Sequence, residues 1–186
     1  MLTGNESTLA LAINNATETA VTANGGIPGA AISPLANAIA NAIIPFLVSN
    51  CLATGTALGY TDSTTNEETS LTTSLDTNLS TTIAANNGVT GAQGAVALAK
   101  AIAQSLVPFL TANVIVPQAS GIYTGVITYT TSVAIAATAY QDALATSLSA
   151  LGATGLGTAS LAQGIAQGLI PFLQTYTTVS ASGTLT

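Results

Sequence analysis

Leu35-Ala36-Asn37-Ala38-Ile39-Ala40-Asn41-Ala42-Ile43-Ile44-Pro45-Phe46-Leu47 decides the reading of this chain, because it returns twice. The second copy is Leu98-Ala99-Lys100-Ala101-Ile102-Ala103-Gln104-Ser105-Leu106-Val107-Pro108-Phe109-Leu110. The third is Leu161-Ala162-Gln163-Gly164-Ile165-Ala166-Gln167-Gly168-Leu169-Ile170-Pro171-Phe172-Leu173. Pro45, Pro108 and Pro171 are spaced by 63 residues each time. An equal period across the chain means three copies of one supersecondary unit, each too small to bury much core alone.

Apolar residues within each copy fall three and four apart, the spacing of one helix face. Leu35, Ile39, Ile43 and Phe46 form the first stripe; Leu98, Ile102, Leu106 and Phe109 the second; Leu161, Ile165, Leu169 and Phe172 the third. These twelve residues are the expected assembly interface. Ala and Gly on the other faces let neighbouring backbones approach closely. Asn37, Lys100 and Gln163, followed by Asn41, Gln104 and Gln167, supply an almost uncharged outer row. The proline in each copy either kinks the helix or ends it.

Outward from this helix, each unit reads as helix, glycine turn, second helix, then an extended arm. Leu9, Ile13, Ala16 and Ala20 mark the first helix, which Gly25-Gly26 stops; Ser33-Pro34 reads as an N-cap and first helical residue. Leu71, Leu75, Leu79 and Ile83 follow a capping box at Thr64 and Glu67, and Asn86-Asn87-Gly88 ends that helix. Val133, Ala137, Tyr140, Leu144, Leu148 and Leu151 precede a turn at Gly152, Gly155 and Gly157. The strongest arm is Val114 to Tyr129, rich in β-branched and aromatic residues. The last, Thr177 to Thr186, reads as short and polar. The expected fold is mainly α: three tandem helix-turn-helix repeats with short extended or β arms, in a possible pseudo-threefold arrangement. The expected units are 1–62, 63–130 and 131–186.

Composition narrows the function. Charged residues are 4% of 186, with one Lys, no Arg, no His and a net charge of −6. Nucleic-acid binding and basic-patch lipid binding both need cations that are missing here. A surface so poor in charge is either covered by other subunits or lipid, or built from Thr, Ser, Asn and Gln. Without His, the usual Ser-His-Asp and Cys-His systems and zinc sites have no basis, so no catalytic, cofactor-binding or metal-binding residues are expected, and no enzyme. Cys51 reads as apolar filler, and Glu67-Glu68 as helix-start acids. The glycine-rich stretches Gly88 to Gly94 and Gly152 to Gly157 lack the context of a phosphate loop and read as turns. The glycosylation-type triplets at Asn5, Asn15 and Asn78 are of a kind that chance supplies in such a composition. The opening Met1 to Glu6 lacks the pattern of a signal peptide.

Leu98-Ala99-Lys100-Ala101-Ile102-Ala103-Gln104, then Ala112-Asn113-Val114-Ile115-Val116-Pro117, then Ser120-Gly121-Ile122, resembles small Ala-rich bacteriophage structural proteins. The resemblance covers one unit well and the other helices in part. It implies a non-enzymatic virion component (capsid decoration, neck or tail), a homo-oligomer or a partner of other virion proteins, located in the virion. Three copies in one chain depart from the single-unit pattern. Two rivals stand beside it. A membrane-active pore or lysis protein is suggested by the uncharged runs Ile27 to Val48, Ala101 to Gln141 and Ala143 to Thr186. An extracellular filament subunit is the other.

Overall fold

The structure is a computed structural model that describes residues 2–85, 92–119, 122–123, 125–153 and 155–186. The described residues form six α-helices and a small antiparallel sheet. In chain order the helices are α1 (Glu6–Ala23), α2 (Ile32–Asn50), α3 (Thr64–Ala85), α4 (Ala92–Asn113), α5 (Val133–Ala150) and α6 (Leu156–Tyr176). The strands are β1 (Cys51–Thr54), β2 (Ala57–Tyr60), β3 (Val114–Ile115), β4 (Gln118–Ala119), β5 (Ile122–Tyr123) and β6 (Thr128–Tyr129).

Each helix packs against the next in sequence, and α1 packs against α6, so the helices close into a ring. The repeated stretches are α2, α4 and α6. They bury more than a stripe: Ala36, Ala38, Ile39, Ala40, Ala42, Ile43, Ile44, Phe46 and Leu47 are all buried in α2. The equivalent residues of α4 and α6 are buried as well, in one continuous core. Helices apolar on most of their circumference belong inside a fold, with the more polar ones outside.

The prolines do not end these helices. Pro45 and Pro108 are exposed and Pro171 half-buried, and each helix runs on beyond its proline. Proline denies a hydrogen bond to the carbonyl four residues earlier. Those residues are Asn41, Gln104 and Gln167, all exposed, so the orphaned carbonyl lies on the wet side. The helices then end on a side-chain cap: Asn50 Nδ2 donates to Phe46 O at 3.0 Å and Asn113 Nδ2 to Phe109 O at 2.9 Å.

The outer helices explain the missing charge. On α3, Leu71, Leu75 and Leu79 are buried while Thr65, Thr69, Thr73, Thr77 and Thr81 are exposed. Thr69, Thr73, Thr77 and Thr81 each donate their hydroxyl to the carbonyl four residues back, at 2.8 to 2.9 Å. The exterior of α3 is thus mainly a row of threonines, with Glu68 and Asp76 half-exposed beside it.

Several boundaries differ from expectation. Helix α2 starts at Ile32, ahead of Ser33, and Leu35 N–H bonds to Ala31 O. The cap of α3 is Ser63, not Thr64: its Oγ accepts from Asn66 N–H at 3.4 Å and its carbonyl from Glu67 N–H. Thr17, rather than Ala16, is the buried residue one turn after Ile13. Gly157 lies inside α6, and residues 92–94 lie inside α4 rather than in a turn. Asn86-Asn87-Gly88, Gly88 to Gly91, Ser120 and Gly121 lie outside the described residues.

The arms behave differently from free appendages. β1 and β2 form a hairpin, β3 pairs with β6, and Val179 bridges Leu185. These three hairpins join edge to edge. Ala57 pairs with Ile115, Val126 with Thr178, and Thr184 with Leu52. Leu52, Ile115 and Thr178 are spaced by the 63-residue period, so the same position receives the neighbour each time. Val116 N–H bonds to Thr56 O, Ile127 N–H to Thr177 O, and Ala53 N–H to Gly183 O, at 2.7 to 3.1 Å. The strand edges are therefore taken up within the chain. The segment from Thr177 to Thr186, expected as a short polar arm, buries Thr177, Val179 and Leu185 against the rest of the chain.

Candidate functional site

The twelve expected interface residues are brought together by the fold, but inward. Ile39, Ile43, Phe46, Leu98, Ile102, Leu106, Phe109, Ile165, Leu169 and Phe172 are buried in the chain's own core, and Leu35 and Leu161 are half-buried against it. Each phenylalanine pairs with tyrosine: Phe46 with Tyr60 at 6.2 Å between ring centres, Phe109 with Tyr129 at 6.3 Å and Tyr140 at 5.3 Å, Phe172 with Tyr176 at 4.7 Å. Such pairs add to the burial of the rings themselves.

Two of these tyrosines also clamp one unit to the next. Tyr60 donates its hydroxyl to Val107 O in α4 at 2.9 Å, and Tyr129 donates to Ile170 O in α6 at 2.9 Å. Both acceptors immediately precede the repeated proline. Burial pushes both phenols well above their ordinary range, so they stay protonated donors; Cys51, Glu67 and Glu68 push Tyr60 further in the same direction. The signal was in the sequence as Tyr60-Thr61-Asp62-Ser63 and Tyr129-Thr130-Thr131-Ser132. In each, Tyr clamps the next inner helix, Thr donates its N–H to Asn50 O or Asn113 O at 2.9 Å, and Ser caps the next outer helix.

The buried carboxylate of Glu67 ties off the start of α3. Its Oε1 accepts from Thr61 Oγ1 at 3.0 Å and from Asp62 N–H at 3.2 Å. Asp62 itself is held below the ordinary carboxylate range by Ser63 N–H and the Asn66 amide. Nearby Cys51 is buried, and desolvation with Glu67 raises its thiol far from the reactive range. This cluster is structural: a cap, a filler and a clamp.

The inner helices meet the following outer helix at a pair of small residues. In α6 these are Gly164 and Gly168. A Cβ on Gly168 would lie 2.6 Å from Ile13 Cα, and one on Gly164 would lie 2.7 Å from Thr17 Cβ. Backbone therefore lies on backbone where α6 meets α1. The equivalent positions are Ala38 and Ala42 in α2, and Ala101 and Ser105 in α4.

The α4/α5 seam, which carries Ser105 where α2 has Ala42 and α6 has Gly168, is open. A groove of about 580 Å³ runs along it, walled by Gln104, Ser105, Pro108 and Phe109 from α4 and by Ala139 and Asp142 from α5. A second, shallower hollow continues from Ala139 and Asp142 over Ile135, which is 58% exposed. Tyr140 is fully buried behind the groove, and its hydroxyl makes no hydrogen bond of good geometry; burial raises its phenol, and Ser105, whose own hydroxyl donates to Ala101 O at 2.8 Å, works against that rise. Lys100 is exposed one turn before Gln104, on the same row as Pro108. Sequence reasoning put Tyr140 on the apolar stripe of α5 but gave no sign of the groove beside Asp142, which depends on how far apart two helices settle.

Among the described residues no group of three His, Cys, Asp or Glu side chains is arranged to hold a metal ion. The chain matches no family model, no curated protein and no solved structure.

Proposed function

We propose that this chain is a non-enzymatic structural or assembly protein, a bacteriophage virion component such as a capsid decoration, neck or tail protein. In this reading its three helix-turn-helix units are arranged about a pseudo-threefold axis. The observation that carries the reading is the cyclic joining of the arms at Leu52, Ile115 and Thr178, one position per repeat. A chain that builds three equivalent units into a closed body offers three similar outer faces, which suits a symmetric partner. The anionic, cation-poor composition adds support, because it leaves little for nucleic acid or an acidic membrane to hold.

Membrane activity is the second reading. α2 (Ile32–Asn50) and the Ala95–Asn113 stretch of α4 are long and apolar enough to cross a bilayer, with mean hydropathy of 1.6 and 1.5. Half or more of each is buried against the rest of the chain, which is how the core helices of a water-soluble fold look too.

Expression without detergent, followed by size-exclusion chromatography with light scattering and electron microscopy, separates the two. A discrete soluble species with threefold features supports the assembly reading. Recovery from membranes only with detergent overturns it.

A further inference from the structure

We propose that the α4/α5 groove is a contact surface between two copies of this chain, set face to face about a two-fold axis so that Lys100 of each copy meets Asp142 of the other. The inference rests on the assembly reading and assigns it a surface.

Charge complementarity selects this surface. The chain holds seven carboxylate side chains and a single Lys, with no Arg. Two copies approaching through any face without Lys100 bring together neutral or like-charged groups. Lys100 is exposed and, among the described residues, makes no ion pair; neither does Asp142. Asp142 lines the groove, and Lys100 is exposed on α4 just beyond its end. Lys100 sits one turn before Gln104 on α4, and Asp142 sits across the groove among the residues that face Gln104 and Pro108.

A two-fold axis near Gln104 reverses the direction of α4 in the second copy. It therefore carries each Lys100 toward the opposite Pro108 and Asp142, and the contact closes on itself without leaving an open end. Between the two ion pairs lies apolar surface: Pro108, the edge of Phe109, Ala139 and, continuing along α5, Ile135. An uncharged centre rimmed by paired charges is the usual anatomy of a specific contact.

The groove of about 580 Å³ is larger than the hollow of about 220 Å³ between α6 and α1. The repeat places Gly164 and Gly168 in α6 and Ala38 and Ala42 in α2 where α4 has Ala101 and Ser105.

Sedimentation velocity over a dilution series tests the contact, with charge reversal as the probe. The natural chain is expected to dimerise, and added salt to weaken the dimer. Lys100→Glu and Asp142→Lys are each expected to raise the dissociation constant about tenfold or more, since each change acts twice in a two-fold contact. The double variant Lys100→Glu/Asp142→Lys is expected to restore it. Ile135→Asp, on an exposed site, is expected to weaken the dimer with helical circular dichroism unchanged. A chain that stays monomeric at every concentration overturns the contact, and so does a dimer that ignores both reversals. The latter leaves the assembly reading standing with its interface elsewhere. Recovery only in detergent fails both together.

Discussion

The α6/α1 seam and the α4/α5 seam occupy equivalent places in the repeat but solve different problems. At α6/α1, Gly164 and Gly168 let the backbone of α1 lie directly on α6, leaving a smaller hollow of about 220 Å³ toward Gly157 and Leu161. At α4/α5, Ala101 and Ser105 take the same positions, and a groove of about 580 Å³ remains. The difference teaches that one or two atoms per position decide whether a seam is core or surface. Interiors are packed closely enough that a single methyl moves a helix.

The sharpest way to break this comparison is to put the same residue in both seams. Gly168→Val drives a branched side chain into Ile13 and is expected to cost about 3 kcal/mol in urea unfolding, the upper end for overpacking. Ser105→Val, at the equivalent position beside the groove, is expected to cost less than about 1.5 kcal/mol. Equal losses would show that the two seams are equally tight.

The buried tyrosines sharpen it at about a third of that size. Tyr129→Phe removes a hydroxyl bonded to Ile170 O and is expected to lose about 1 kcal/mol. Tyr140→Phe removes a hydroxyl with no partner and is expected to leave stability unchanged or slightly raised. Thermal melts of the two variants decide it; a clear loss from Tyr140→Phe would mean that its hydroxyl is satisfied after all.

The smallest effect lies away from both seams, at the start of α3. The Asp62 carboxyl is lowered in the folded chain, so its contribution to stability is present above the ordinary Asp range and is lost as pH falls through the lowered value. Asp62→Asn is expected to flatten the acid end of a plot of melting temperature against pH, below about pH 4. An acid limb unaltered by the substitution would assign acid sensitivity to other carboxylates.

How much of this was legible beforehand differs by element. The three inner helices were legible because their apolar spacing repeats three times, and the first and third outer helices because glycine interrupts the pattern after them. The clamps at Tyr60 and Tyr129 were legible in principle, since Tyr-Thr-x-Ser occurs twice at the unit boundaries. The arms were not. A run such as Val114 to Tyr129 shows β preference but not its partner, and preference alone does not distinguish an edge offered to another molecule from one taken by the neighbouring hairpin.

The sequence by itself determined the three copies of one apolar helix stretch, the scarcity of charge and the lack of histidine or a basic patch. These are local or compositional properties, carried by spacing and side-chain chemistry. Only the tertiary structure decided that the apolar stripes face the chain's own core, that the arms close on one another, and that one seam stays open beside Asp142. Those outcomes depend on distances between segments far apart in sequence. Such distances are set by the summed sizes of side chains meeting at a seam, and no periodicity within a single segment records them.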